Sequence, residues 1–589
     1  MNERSTTAPK RLTGAGPAPC IGFLVDELHD SRYQWQVLRG AAREANDRGA
    51  NLLAFVGGPL PPPGGSSELN WIFDLAKPKN VDAIVVLSGS LGNAVGVDGL
   101  KGFCERYRSM PTCSIAIPLP EISSVCIENE TGMRAAIEHL IHVHRFKRIA
   151  FVRGPASNEE AELRQRVYRE VLELNGIPYV PELVVAGDFT QSSGREAITT
   201  LFGRRLSVGD VAAIVAANDG MALGVLEGLR GRGIKVPEQI AVVGFDDIEE
   251  ARFALPPLTT VSQPLFDQGR EAVRIVLEQL RSPTNSAEQA MRHTDLIVRR
   301  SCGCLPGSAS SKKSSNPPGS TLGFDSALLR RRQHILADMA RAARGQLGPA
   351  GPQWDARLIN AVAEQVRGES PDAFVRTYDE ILRRMVATGA DLAACNDVIS
   401  ALRGRLVRCI NDVKRRTQAE DFFHEARIMT TNALEGVQVG RRVRSWNEAL
   451  AMMQSGTAII STRDMEELAA AVHQNLPNAG ILRCFVVRLW RRPDGSEVAR
   501  LVLAEKPDAR KLDPSLTTVY SGVDVFREAV LLGTDVHSFA IFPAVFRNGE
   551  RGAVILELGF IEAQGYEMMR QVFTAALARM DGERIDPVS

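Results

Sequence analysis

Val211-Ala-Ala-Ile-Val-Ala-Ala-Asn218-Asp219-Gly-Met-Ala-Leu-Gly224 and its echo Ile240-Ala-Val-Val-Gly-Phe-Asp246-Asp247 decide how this chain is read. Each is a short apolar run that stops at polar residues and passes into helix-like sequence. A buried parallel strand has this pattern when it delivers side chains to a crevice beyond its carboxyl end.

Outward from that pair, the same alternation fills the first half of the chain. Ile21–Val25, Asn51–Val56, Ala83–Leu87 and Cys113–Ile117 read as strands, with helices over 36–48 and 98–108. The order then restarts: a helix over 132–143, a strand at Arg148–Val152, a helix over 159–175, a strand at Leu183–Val185, and the two opening strands. Repeated strand–helix order implies parallel sheets with helices on both faces, and two such runs predict two lobes with a cleft between them.

At 589 residues the chain exceeds one core, and roughly 150 residues per domain suggests about three to four units. Lys plus Arg and Asp plus Glu are 70 each, so charge makes no case for nucleic acid or an anionic membrane. No apolar leader and no long apolar run is present, which predicts a cytoplasmic protein without a membrane span. The nine cysteines are scattered and read as reduced, mostly buried thiols. Cys302 and Cys304 alone lie close, and a Cys-x-Cys with no second pair supplies half a zinc site. His139, His142 and His144 point to different sides of a helix and its end, so no metal is expected there. No cofactor motif is present either: there is neither a phosphate-cradling Gly-rich loop nor a Gly-x-Ser-x-Gly elbow, and no enzyme activity is expected.

The remaining segments follow from composition and period. Residues 1–18 read as a disordered arm, 305–323 as a Ser/Pro/Gly linker and 582–589 as a tail. Residues 324–416 carry helical periodicity, with Leu328, Ile335, Met339 and Ala342 on one face and Phe374, Tyr378, Ile381, Leu382 and Met385 on another. Residues 417–460 hold a long signalling or coiled-coil-like helix, Phe422, Ala426, Met429, Ala433 and Leu450 forming a seam that serves either a dimer or packing within the chain. Ser461-Thr-Arg-Asp464 reads as a capping-box start. Strands at 483–490, 498–503, 538–546 and 552–558, with Asn548-Gly549 as a hairpin turn and a final helix over 562–580, give residues 461–581 an α+β antiparallel sheet flanked by helices. Phe485-Val-Val and Phe542–Phe546 read as its core.

Several stretches carry a resemblance. Ala217-Asn-Asp-Gly-Met-Ala-Leu-Gly, Arg232–Asp247, Pro256-Pro-Leu-Thr-Thr-Val-Ser-Gln263, Glu128-Asn-Glu-Thr-Gly132 and Arg148–Gly154 are similar to the LacI/GalR-type sensor domain. Gly22-Phe-Leu-Val-Asp26, Phe55–Gly58, Leu87–Asn93, Arg300-Ser-Cys-Gly-Cys304 and Tyr566-Glu-Met-Met-Arg-Gln resemble a cytoplasmic subgroup in which that domain is joined to a helical segment and a GAF-like domain. The resemblance implies an α/β fold: a two-lobed, type 1 periplasmic-binding-protein-like domain with parallel sheets at 19–304, then the helical segment, then a GAF-like α+β domain at 461–581.

The resemblance also implies a cleft that closes on a small polar ligand, such as a sugar. Arg164 matches the arginine that forks onto ligand hydroxyls. Asn218 or Asp219, together with Asp246, match second-lobe strand-end ligands, and Gln263 sits at the crossover. Asp26, Tyr33 and Trp35 occupy the loop after the first strand, and Ser88 and Asn129 complete the candidate set. Asp219 and Asp247 have a competing reading as helix caps, Tyr33 and Trp35 as packing beneath the loop, and Ser88 as a turn cap. Many relatives carry an Asp where this chain has Ala116, so the hydroxyl network is not copied whole.

The segments before Cys20 and after the last helix are short for a helix-turn-helix or other output module. The expectation is therefore a homodimeric, cytoplasmic ligand sensor acting through a protein partner. Direct DNA binding and a transport-type solute-binding role are the alternatives.

Overall fold

The computed structural model describes residues 18–580 apart from 29–31, 63, 66, 204–205, 283–286, 305–322, 344–346, 389, 391, 493–496, 506–518, 522–524, 527–529, 532–534, 548 and 560–562. The arm, almost all of the linker and the tail lie outside the described residues. Two units divide the chain: 1–311 with 448–589, and 312–447.

In the first unit the alternation runs β1 (Cys20–Val25), α1 (Arg32–Asp47), β2 (Asn51–Val56), β3 (Ala83–Val86), α2 (Ser88–Leu91), α3 (Gly96–Cys104), β4 (Thr112–Ile115) and β5 (Ser123–Ile127). It continues through α4 (Asn129–His142), β6 (Ile149–Arg153), α5 (Glu159–Leu174), β7 (Val184–Ala186), α6 (Gln191–Gly203), β8 (Ala213–Ala216), α7 (Asp219–Gly231), β9 (Ala241–Asp246), α8 (Glu249–Phe253), β10 (Thr259–Ser262), α9 (Leu265–Arg281), β11 (Gln289–Arg292) and β12 (Asp295–Ile297). Every residue of β1, β2 and β9 is buried, which explains why these strands are continuous apolar runs rather than alternating ones.

The first-lobe strands lie in the order β11-β5-β4-β3-β1-β2 and the second-lobe strands in the order β12-β10-β9-β8-β6-β7, with β12 the antiparallel member of the second sheet. The chain passes between the sheets after β5, after β10 and between β11 and β12. On its return it docks α9 against α1 at close range, where a Cβ on Gly40 or Gly269 would stand 1.9 Å from a backbone carbonyl of the facing helix.

The C-terminal part comprises α15 (Met465–Asn475), β13 (Cys484–Arg491), β14 (Glu497–Glu505), β15 (Val519–Ser521), β16 (Ser538–Val545), β17 (Arg551–Glu557) and α16 (Ala563–Leu577). Its strands are mutually antiparallel, as their hairpin spacing predicts. Asp464, not Ser461, is the N-cap of α15, accepting from the Glu467 amide at 2.8 Å.

The expectation of a sheet of its own is corrected. Strand β16 pairs in parallel with β2, from Ser538 opposite Leu52 to Ile541 opposite Phe55, so eleven strands form one sheet. The Asn51 side chain accepts from the His537 amide at 2.8 Å, and the Leu52 amide donates to the His537 carbonyl at 3.0 Å. Unpaired N–H and C=O groups along a free strand edge are a standing liability, and here β2 satisfies them with a strand almost 500 residues later in the chain.

The helical unit holds α10 (Phe324–Ala343), α11 (Trp354–Arg367), α12 (Ala373–Ala387), α13 (Ala393–Leu406) and the first part of α14 (Val413–Ile460). Its core joins Leu328, Ile335 and Met339 to Phe374, Tyr378 and Ile381. Ala419, Phe423 and Ala426 pack into the same core, so this part of the seam serves the chain's own interior.

Candidate functional site

The two lobes meet at the carboxyl ends of their strands. Asn158 caps α5 by accepting from the Ala161 amide at 3.0 Å, and its own amide nitrogen donates across the cleft to the Gly89 carbonyl at 3.0 Å and to Asn93 Oδ1 at 2.9 Å. Ser157 donates to the Asn93 carbonyl beside it. The loop carrying α2 is thereby latched to the start of α5.

Behind this latch lies a buried polar cluster. Arg164 donates from Nε to Asn129 Oδ1 at 2.8 Å and from Nη1 to the Ala217 carbonyl at 2.7 Å, and its guanidinium lies 3.8 Å from the centre of the Phe245 ring. Asn129 donates in turn to Glu160 at 2.7 Å, and Glu160 stands 3.7 Å from Arg164 one helical turn away. From the other lobe, Tyr33 stands among Glu160, Asp246, Arg164 and Asp26; burial, then these carboxylates, push its hydroxyl well above the usual phenol range. Asp26 accepts from Ser90 at 2.6 Å, and burial raises its carboxyl despite that bond.

Asp246 closes β9 with a φ of 125°, a conformation that L residues rarely adopt. It accepts from Gln263 at 2.5 Å, and Gln263 accepts from Gln268 at 3.0 Å. Burial pushes the Asp246 carboxyl up to about 7, against the pull of Arg164. Strained, buried and electrostatically perturbed, this residue has the marks of a functional position.

Asp26, Tyr33, Asn129, Arg164, Asp246 and Gln263 are thus brought together. Four other candidates have their side chains committed elsewhere. Trp35 packs 5.6 Å from the ring of Tyr566 on α16, because its place on α1 faces the C-terminal helix rather than the cleft. Ser88 shares a 2.7 Å hydrogen bond with Ser114 and is fully buried between strand ends. Asn218 is the N-cap of α7, accepting from the Met221 amide and donating to the Phe189 carbonyl. Asp219 accepts from Thr260 at 2.6 Å and from the Ile248 amide at 3.1 Å, tying β9 and β10 to α7. Burial, then the neighbouring Asp246, raises its carboxyl far above the usual range.

Sequence reasoning missed Glu160, Ser90, Asn158 and Gln34. Glu160 was readable as the i−4 partner of Arg164 on one helix face, and Asn158 as a cap before Glu159-Glu160. Ser90 was hidden by Ser88 two residues earlier. Gln34 Oε1 is buried and has no hydrogen-bond partner among the described residues. Chemically, the cluster offers carboxylate acceptors around one guanidinium, with the aromatic faces of Phe245 and Tyr33 beside them.

The chain is similar here to LacI/GalR-type, periplasmic-binding-protein-like sensor domains. Residues 137–302 match a family model described as a periplasmic binding protein-like domain. The chain is 39% identical over 188 residues to the HTH-type transcriptional regulator CelR of Thermobifida fusca, and 30% identical over 236 residues to the HTH-type transcriptional repressor CytR of Escherichia coli. These alignments span 32% and 40% of this chain and 54% and 66% of the relatives' lengths. The Ribose operon repressor of Escherichia coli is 28% identical over 282 residues, 48% of this chain and 81% of that protein. Among solved structures, a CelR–cellobiose complex aligns at 28% identity and a TM-score of 0.42, covering 49% of this chain and 86% of that one.

Proposed function

We propose that this protein is a ligand-responsive regulator whose two-lobed domain closes on a small polyol, a sugar being the best fit to the crevice. The observation that carries this reading is the convergence of Asp26, Tyr33, Asn129, Glu160, Arg164 and Asp246 from both lobes and their crossovers. A polyol needs acceptors and donors at fixed angles together with an apolar face for its C–H surface, and these residue types supply both. Ligand favours the closed lobes, and that population shift is the signal.

The test is thermal shift against ribose, cellobiose, other sugars and nucleosides, repeated with Asp246→Asn and Tyr33→Phe. The active ligand is expected to lose roughly 10- to 100-fold in affinity in Asp246→Asn, one charge-assisted hydrogen bond being worth about 1.5–3 kcal/mol. Unchanged stabilisation in both variants sinks the site, and no stabilisation by any polyol sinks the ligand class.

The protein is read as cytoplasmic and homodimeric, with its output passed through a protein partner rather than through DNA. The even balance of 70 basic and 70 acidic residues supports the partner route, and a salt-dependent gel shift that retained specific DNA would favour direct binding instead. Residues 461–581 are read as GAF-like on the antiparallel strand pattern with helices at either end.

A further inference from the structure

The last turn of α4 and the residues that close the second lobe converge on one point. His139 and His144 on one side, and Cys302 and Cys304 on the other, place four ligand atoms within 4.8 Å of one another. Cys302 Sγ lies 3.5 Å and Cys304 Sγ 3.6 Å from His139 Nε2, and Cys304 Sγ lies 3.4 Å from His144 Nε2. With Zn–S near 2.3 Å and Zn–N near 2.05 Å, tetrahedral geometry puts sulfur and nitrogen about 3.6 Å apart.

The backbone is built to hold the four atoms there. Gly303 takes a φ of 101°, so the chain turns between the two cysteines and both thiols face the same point. Ser301, immediately before them, is fully buried; its hydroxyl accepts from the Thr259 amide at 2.7 Å and donates to the Val242 carbonyl at 2.6 Å, pinning the turn to β9 and β10. On the other side Arg145, with a φ of 61°, turns the chain out of α4, and the His144 ring stacks on Phe146 with centroids 5.3 Å apart. His142 is exposed and takes no part.

We infer that His139, His144, Cys302 and Cys304 form a structural Cys2His2 zinc site. Two thiolates and two imidazoles suit zinc, and four protein ligands leave no open position for catalysis. The set was hidden from the sequence reading, which expected no metal, because its two halves are about 160 residues apart in sequence. The metal cross-links α4 to the last residues of the sensor domain and fixes where the chain leaves it.

Full-length protein, prepared in reducing buffer and equilibrated with zinc, is expected to retain one zinc per chain after dialysis and to release it on titration with a mercurial. Replacement by cobalt is expected to give the strong visible bands of tetrahedral Co(II) and a thiolate-to-cobalt charge-transfer band. The double variant Cys302→Ser/Cys304→Ser should lose the charge-transfer band, and His139→Gln should weaken binding by more than the ~10- to 100-fold that outer-shell changes cost. Cys126→Ser, a buried cysteine on β5, should keep both bands and stoichiometry, so a general folding defect is separated from loss of ligands. Substoichiometric zinc in the wild-type chain, a six-coordinate cobalt spectrum, or bands that persist in the double variant overturn the assignment.

Discussion

Asp246 carries the clearest chemical signature in the crevice, and its sign can be worked out. Its carboxyl is pushed up to about 7, so between about pH 4 and pH 7 the native state holds a proton that the unfolded chain has released. Its contribution to stability therefore falls as pH rises through that window. Asp246→Asn removes a buried carboxylate, so in ligand-free protein it should raise the calorimetric midpoint more at about pH 8 than at about pH 5. An equal gain at both would contradict the burial argument. Asp246 was legible because it closes an apolar strand run, and Arg164 only through the resemblance that matched it to an arginine of the family. Trp35 was not, because a helix position next to a cleft says nothing about which neighbour it faces until the C-terminal helix is in place. Trp35→Ala should accordingly cost about 3–5 kcal/mol of stability in chemical denaturation, while ligand affinity of the folded fraction changes less than about 3-fold. A large affinity loss at unchanged stability would return Trp35 to the site.

Strands β1, β2, β6, β8 and β9 lie where the apolar runs place them, within a residue or two, because a strand buried on both faces writes its limits in sequence. Strands β5, β10, β11, β12 and β15 were illegible: they are comparable in length to β3, β7 and β8, which were read, but they lack the unbroken apolar run that marked those. The join between β2 and β16 was illegible for another reason, since pairing between strands is not encoded in either strand alone. Two aromatic contacts reinforce it, Phe55 with Phe526 at 6.4 Å on one face of the sheet and Trp35 with Tyr566 on the other. Asn51→Ala leaves the His537 amide without its acceptor and should destabilise the protein by about 1–3 kcal/mol. Hydrogen exchange should show the loss in β2 and β16 together; exchange altered in β2 alone would mean that the join carries no stability.

Taken whole, the first unit couples the crevice to the C-terminal domain through a shared sheet, so a change in the first lobe has a hydrogen-bonded path to residues 538–557. No helix among the described residues is long and apolar enough to cross a membrane. On the second lobe, Leu223, Leu226, Arg230, Phe253 and Leu255 line a groove of about 470 Å³. Phe253 and Leu255 are 59% and 74% exposed, an apolar surface of the kind that a second copy would cover. If the proposed homodimer uses this face, Phe253→Asp/Leu255→Asp should move the protein to monomer mass in light scattering; an unchanged mass would place the dimer elsewhere.

The shared sheet also imposes an order of events during synthesis. Asn51 must wait for His537, which is added 486 residues later. At about 5–20 residues per second, the edge of β2 stands open on the ribosome for roughly 25–100 s. The first sheet is completed only when β16 has been made. Shortened forms ending near residue 304 should therefore aggregate through that edge.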